Sequence, residues 1–391
     1  MEGDYIKINK ALLPLSWIYG LGVRVRNLLF EMDILKSKHY SIPVISVGNI
    51  TVGGTGKTPH VEYLIRLLKD KLNVAVLSRG YKRKSSGFVL AGNDTSMADI
   101  GDEPFQMKQK FPGVTVAVDS KRTRGIEKLT SHDGEKSIDV ILLDDAFQHR
   151  YVKPGINILL VDYHRLIIYD QLLPAGRLRE PVKSKDRADI VIVTKCPKEM
   201  KPMEFRVLTK AMNLYPYQQL YFSTHDYDAP KPLFPDEAEQ QAFTSLESLA
   251  GKNVLMLTGI ASPQQMEHDL MPHAGSLSKL SFSDHHAFTA KDIRKLNDTF
   301  SAMTTPKLVI TTEKDATRLA TAEGMSQEVR SHLFVLPIHV SIMLGQENDF
   351  NNFILSYLHK NSKNSTLVKS KKIRESKEGN PAGKPQIIRF K

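Results

Sequence analysis

Val44-Ile45-Ser46-Val47 runs directly into Gly48-Asn49-Ile50-Thr51-Val52-Gly53-Gly54-Thr55-Gly56-Lys57-Thr58-Pro59. The first four residues are mostly β-branched and do not alternate with polar ones, the mark of a strand buried on both faces. The glycines that follow let the backbone curl so that successive N–H groups face one anion. Lys57-Thr58 then opens a helix whose positive end adds to the attraction. In such a loop Gly53, Gly54, Thr55 and Gly56 wrap the phosphates of a nucleotide. Lys57 reaches the β- and γ-phosphates, and the Thr58 hydroxyl ligates Mg²⁺. A chance glycine turn is the competing reading, and the flanking strand and helix argue against it.

A second stretch supports the first. Ile138-Asp139-Val140-Ile141-Leu142-Leu143-Asp144-Asp145 is an apolar strand ending in two carboxylates, the form of a Walker B strand, with Asp144 placed to hold Mg²⁺ directly or through water. The strict phosphate-loop pattern needs glycine where Thr51 stands. The Gly-Gly-x-Gly-Lys-Thr core instead resembles the variant loop of dethiobiotin synthetases and partition ATPases. The partition members carry an extra lysine at the place of Val52, which this chain lacks. Guanine readers place an acid after an Asn-Lys pair; here the corresponding place reads Thr194-Lys195-Cys196-Pro197. ATP is therefore the expected nucleotide.

Outward from the loop, strands are expected over Asn73–Ser78, Val114–Val118, Ile156–Val161 and Asp189–Thr194, besides Ile42–Val47 and Ile138–Leu143. Helices over Lys57–Lys69, Glu103–Lys110 and Lys121–Thr130 lie between them, the rhythm of a doubly wound α/β sheet. Composition turns rich in Pro, Asp and Gln around Tyr215–Glu239. A second set follows, with strands at Asn253–Leu257, Lys279–Phe282, Lys307–Thr311 and Leu333–Ile338. A helix over Ala290–Phe300 is started by a Thr289/Asp292 capping box. The expected fold is a P-loop NTPase-like α/β sheet with a second, smaller α/β lobe and an N-terminal amphipathic helix. The expected divisions are 1–40, 41–213, 214–359 and a basic tail over 360–391.

The 391 residues are 41% hydrophobic and 25% charged, ample for a large core or two medium ones. One cysteine, Cys196, excludes an intrachain disulfide framework and a multi-cysteine metal site. The net charge of +11 suggests nucleic acid until it is located. Residues 360–391 hold ten Lys or Arg against two Glu, so +8 sits in the tail. That tail is poor in apolar residues and reads as disordered and solvated; anionic lipid headgroups are the next partner, and nucleic acid is not expected. No stretch reaches the length of a transmembrane helix. Past Pro14, apolar residues recur at helical spacing (Ile18, Leu21, Val25, Leu28 and Leu29), with Trp17, Tyr19, Arg24 and Arg26 beside them. This suits a helix lying in a membrane surface, or equally one packed on its own domain.

Six further motifs occur in order. They are Ser78-Arg79-Gly80-Tyr81-Lys82-Arg83-Lys84, Gly101-Asp102-Glu103-Pro104, Asp144-Asp145-Ala146-Phe147-Gln148-His149, Leu172-Leu173-Pro174-Ala175-Gly176-Arg177-Leu178-Arg179-Glu180-Pro181, Phe282-Ser283-Asp284-His285-His286 and Thr311-Thr312-Glu313-Lys314-Asp315-Ala316. Together they closely resemble the tetraacyldisaccharide 4′-kinases of lipid A synthesis, from the N-terminal helix to about Tyr357. Family members commonly have Gly at Ala146 and often Pro at Arg177; neither change removes a functional group. The resemblance implies transfer of the ATP γ-phosphoryl group to the 4′-hydroxyl of an acylated glucosamine disaccharide 1-phosphate, giving lipid IVA. It also implies a peripheral enzyme, expected to be monomeric, on the cytoplasmic face of the bacterial inner membrane.

It further points to Asp102, assisted by His285, as the base that takes the hydroxyl proton. From the residues alone Asp102 reads equally well as a helix N-cap, and the choice between His285 and His286 stays open. Asp145 joins the catalytic set, positioning either the hydroxyl or the metal. Arg79, Lys82, Arg83, Arg177 and Arg179 suit the anionic groups of the acceptor or of ATP. Tyr81, Gln148 and Glu180 complete the set expected to face the acceptor. Two other readings remain at this level: a partner-regulated ATPase of the partition type, and a soluble enzyme of the dethiobiotin-synthetase type.

Overall fold

The computed structural model describes residues 6, 8–131, 137–238, 243–260, 263–284 and 286–361. Helix α1 (Leu13–Glu31) opens the chain, with Pro14 in its first turn, where the missing N–H costs nothing. Then come β1 (Val44–Gly48), α2 (Lys57–Leu68), β2 (Val74–Ser78), the short β3 (Val89–Leu90), α3 (Met97–Ile100), α4 (Asp102–Lys110) and β4 (Thr115–Val118). Next are α5 (Arg122–Ser131), β5 (Val140–Asp144), β6 (Ile156–Asp162), β7 (Ile190–Thr194), α6 (Pro202–Met212) and β8 (Gln219–Tyr227). The second lobe follows as β9 (Lys231–Pro232), β10 (Asn253–Thr258), α7 (Gln264–Leu270), β11 (Ser276–Ser281), α8 (Ala290–Ser301), β12 (Lys307–Thr312), α9 (Glu313–Leu319), α10 (Gln327–Ser331) and β13 (Leu333–Leu336). The chain returns to the first lobe in β14 (Ile338–Ile342) and a helix over residues 347–361.

Nine strands form the larger sheet in the order β14-β8-β7-β6-β1-β5-β2-β4-β3, and five form the smaller, β11-β10-β12-β13-β9. β1 lies between β5 and β6, parallel to both, so the chain leaves it toward one side of the sheet and later crosses to the other. Open sheets bind ligands at such a switch, beyond the C-terminal strand ends. Both faces are covered: Val61, Leu64 and Ile65 of α2, with Phe350 and Ile354, pack on one, and Phe205 and Leu208 of α6 pack on the other. That is why β1, β2, β5 and β7 are buried at every position and read as continuous runs.

Two expectations are corrected. The run Leu333–Ile338 is not one strand. Pro337, which has no N–H for a ladder, separates β13, parallel to β12 in the small sheet, from β14, antiparallel to β8 in the large one. The division at 213/214 also falls in the wrong place, because β8 beyond it is a strand of the large sheet. The excursion into the second lobe spans residues 228–337, and the polar composition from Tyr215 onward hid a strand with only its middle buried.

Candidate functional site

The loop between β1 and α2 is held from below and from the side. Buried Asn49 donates its amide to the hydroxyls of Thr51 (3.2 Å) and Thr55 (2.8 Å). Val52 N–H donates to Arg177 O (2.8 Å) and Arg179 N–H to Ile50 O (2.7 Å), so the 177–179 segment lies alongside the loop as a short ladder. This explains Thr51. Left-handed backbone occurs at Gly53 (φ 113°) and Gly56 (φ 78°), not at position 51, so no glycine is required there.

Two neighbours in the sequence, Thr194 and Lys195, close the underside. The Thr194 hydroxyl donates to Thr55 O (3.1 Å). Lys195 Nζ donates to Gly54 O and pairs with Asp162 (2.7 Å). His60, one turn into α2, is pushed down to about 4 by burial. The neutral ring contacts Gly56 O through Nδ1 (2.7 Å) and the Ser223 hydroxyl through Nε2 (3.0 Å), tying the loop to β8. Reading Thr194-Lys195 only for guanine contacts missed this bracing role.

At the end of β5, Asp144 is fully buried. One carboxylate oxygen accepts the Ser78 hydroxyl at 2.9 Å, while Oδ1 has no hydrogen-bond partner. Burial, with Glu103 and Asp145 nearby, pushes its carboxyl up to about 7 against the pull of Lys57. Asp145 behaves oppositely. Although burial raises it, Lys57 (3.8 Å) and Arg179 (3.0 Å) outweigh that and hold it at about 2. An inaccessible acceptor that carries its charge reluctantly suits a cation. Among the described residues no group of three His, Cys, Asp or Glu assembles around one point. A divalent ion beside Asp144 and Thr58 would therefore complete its shell with phosphate oxygens and water, as Mg²⁺ commonly does.

Asp102 is the first residue of α4, and the cap is Gly101 (φ 89°), with no side-chain cap hydrogen bond. A Cβ on Gly101 would come within 2.7 Å of Tyr81 O, so both conformation and space require glycine. The N-cap reading of Asp102 therefore fails. Its carboxylate instead accepts from Arg318 Nη2 at 2.8 Å and Nε at 3.1 Å. His285 lies outside the described residues. His286 stacks on Phe282 at 4.6 Å and pairs with Asp292, the capping-box acid of α8, at 2.9 Å, which gives it a structural place.

The remaining expected residues divide between the surface, the phosphate loop and structural pairs away from it. Arg79, Tyr81 and Arg177 are exposed. Arg179 bridges Asp145 and the Asn49 carbonyl (3.1 Å). Gln148 donates to the same carbonyl at 2.7 Å. Arg83 donates to Gly87 O (2.6 Å) and Val118 O (3.4 Å). Buried Glu180 pairs with Arg187 at 2.5 Å, its other oxygen having no partner. Arg318, which the sequence reading missed, stands just beyond the Thr311–Ala316 motif, one helical turn after Asp315; that spacing was its only signal.

Between the lobes lies a cleft of about 1080 Å³ including its mouth. Gly54, Lys57 and Thr58 form one wall, Glu103 and Gln106 of α4 another, and Ile260, Met266 and Lys314 of the second lobe face them. A phosphate loop lining this largely apolar cleft, with its lysine paired to a carboxylate at the end of β5, defines a P-loop phosphotransferase.

The comparisons narrow this class. The family model for tetraacyldisaccharide-1-P 4′-kinase matches residues 8–359. The tetraacyldisaccharide 4′-kinase of Phocaeicola vulgatus is 57% identical over 94% of this chain and all of its own length. That of Bacteroides thetaiotaomicron is 50% identical over 96% of this chain and all of its own. The crystal structure of Aquifex aeolicus LpxK in complex with ATP covers 89% of this chain and 98% of its own, with 29% identity and a TM-score of 0.65. The chain belongs to the tetraacyldisaccharide 4′-kinase family. It is a kinase, and the partition-type and soluble-enzyme readings fall away.

Proposed function

We propose that this chain transfers the γ-phosphoryl group of ATP to the 4′-hydroxyl of a tetraacylated glucosamine disaccharide 1-phosphate, giving lipid IVA. The names of its relatives and the ATP complex of the Aquifex aeolicus protein support the reaction. The observation in this chain that carries it is the braced loop Gly53–Thr58 beside an acidic pair of opposite character, one carboxylate neutralised by Lys57 and Arg179, the other left with an orphaned oxygen.

Lys57 and the loop amides take the charge of the β- and γ-phosphates. Thr58 and Asp144 would hold Mg²⁺, which would neutralise charge on those phosphates. Asp145, kept ionised, positions Lys57 and Arg179. Asp102 accepts the proton as the 4′-oxygen bonds to the γ-phosphorus and the bond to ADP breaks; His285 assists it. Arg79, Tyr81, Arg83, Gln148, Arg179 and Glu180 form the acceptor's side of the site, with Gln148 and Arg179 acting through the loop they also hold.

The acceptor's acyl chains do not leave a bilayer cheaply, at about 0.8 kcal/mol per buried CH₂, so the enzyme must work at the membrane. Helix α1 supplies the contact. Trp17 is 72% and Ile18 70% exposed, with Leu15, Leu21 and Leu28 beside them, while Ser16 and Gly20 face the 172–175 segment. No helix among the described residues is long and apolar enough to cross a membrane. We assign a monomeric, peripheral enzyme on the cytoplasmic face of the inner membrane.

Incubation with γ-labelled ATP and a tetraacylated disaccharide 1-phosphate in detergent micelles tests the proposal. Label should move to the lipid. Label released only as inorganic phosphate would refute it.

A further inference from the structure

The motif that ends β12 builds a chain of contacts reaching across the cleft. The Thr312 hydroxyl and the Gly259 N–H donate to Asp315 Oδ2 at 2.8 and 2.9 Å. Asp315 is fully buried, and its Oδ1 accepts from Arg318 Nη1 at 3.1 Å. A Cβ at Gly259 would meet that same Oδ1 at 3.0 Å, so the end of β10 abuts the pair. Arg318 turns its other edge, Nε and Nη2, to Oδ2 of Asp102. One guanidinium, 8% exposed, thus joins a carboxylate fixed in the second lobe to the carboxylate at the head of α4.

The remaining pairs between α4 and α9 run the same way. Lys110, at the far end of α4, bridges Glu313 of α9 (2.6 Å) and Glu62 of α2 (2.7 Å). Lys314 lies 4.0 Å from Glu103. The helix that carries Asp102 is fastened along its length to the second lobe, and it meets the phosphate-loop helix at Glu62, which pairs with Lys110 and accepts from the Gln106 amide at 3.2 Å.

We infer that Arg318 is a positioning residue for phosphoryl transfer: from the second lobe it fixes the position of the Asp102 carboxylate. The inference rests on the reading of Asp102 as the base. A carboxylate that is to accept a proton must be charged and aimed. Two N–H groups of one planar fork converge on the single oxygen Oδ2 and fix where that atom lies, which one ammonium contact does less well, and the third N–H bonded to Asp315 restricts the fork. Lysine offers the charge without the plane and cannot span both carboxylates, so the interaction is specific to arginine.

The test is steady-state transfer of label from ATP to the micellar acceptor by full-length Arg318→Gln, Arg318→Lys and Asp102→Asn. Arg318→Gln should lower kcat about tenfold or more while the KM for ATP stays within about twofold, the pattern of a group acting in the transition state. Guanidinium ion, at concentrations too low to unfold the protein, should restore part of the lost kcat, and Arg318→Lys should fall between. An unchanged kcat in Arg318→Gln overturns the inference. So does a loss expressed in the KM for ATP, or one accompanied by a lowered Tm in both Arg318 variants and no rescue. Asp102→Asn separates the two claims: full turnover there refutes Asp102 as the base whatever Arg318 does, whereas lost turnover there with normal turnover in Arg318→Gln refutes the positioning role alone.

Discussion

Asp144 and Asp145 are adjacent, yet one is pushed up to about 7 and the other held at about 2. The difference lies in their neighbours: Asp145 turns through a left-handed conformation (φ 45°) toward Lys57 and Arg179, while Asp144 points inward to Ser78. The sign of the consequence is fixed. A carboxyl raised above its unfolded value binds more protons folded than unfolded, so its contribution to stability falls as pH rises from about 4 toward 7. Asp144→Asn should therefore raise Tm at pH 8 by about 1–4 °C in metal-free protein while abolishing Mg²⁺-dependent turnover; a lower Tm would show that the charged form is not disfavoured. In the proposed role of Asp144 as a Mg²⁺ ligand, the ion would displace that proton, so its apparent affinity in the presence of ATP should weaken as pH falls through about 7, and calorimetric titrations at pH 6 and pH 8 would measure this. At this scale the strand, glycine turn and helix of the loop were legible, because that pattern is local in sequence. Arg318, Lys195 and His60 were not, because each acts on a residue brought close only by the fold, at separations of 216, 141 and 163 positions.

At the level of elements, α4 is aimed by a single glycine. Gly101→Ala meets Tyr81 O and adopts a positive φ, so it should destabilise the protein by about 1–3 kcal/mol and lower kcat together with it; urea unfolding and label transfer report the two. Helix α1 makes the opposite kind of prediction, since its outer face contributes little to the fold. Ile18→Asp with Leu21→Asp should reduce the fraction floating with anionic liposomes at least tenfold, given about 1.5–3 kcal/mol for each buried aliphatic side chain. Tm should stay nearly unchanged. An unaltered bound fraction would leave α1 as a packing helix. The spacing of Ile18, Leu21, Val25 and Leu28 predicted this helix, but not which face would be covered; Ser16 and Gly20 on the 172–175 segment decide that. Strand β8 went unread for the converse reason: its composition is mixed, and only Tyr221 to Thr224 are buried throughout.

Across the whole molecule, the chain leaves the large sheet after β8, completes a second sheet and re-enters beside its exit, β14 pairing antiparallel with β8 from Ile338↔Tyr227 to Ile342↔Ser223. Two adjacent crossings make a narrow connection, and the nucleotide cleft opens directly above it, lined by His225, Tyr227 and Ile338. The proposed phosphate loop thus belongs to one lobe, and Arg318, which pairs with Asp102, belongs to the other. Alternating strands and helices announced two α/β layers, but not that the second is inserted within the first, since an insertion leaves no periodic trace; Pro337 alone marks the return. The most direct measurement is a crystal structure of this chain with a non-hydrolysable ATP analogue and the disaccharide acceptor. The terminal phosphate should lie against Lys57 and the loop amides, with the 4′-hydroxyl within about 3 Å of the Asp102 carboxylate. A hydroxyl held elsewhere, or a carboxylate turned from the cleft while both ligands are bound, would contradict the account.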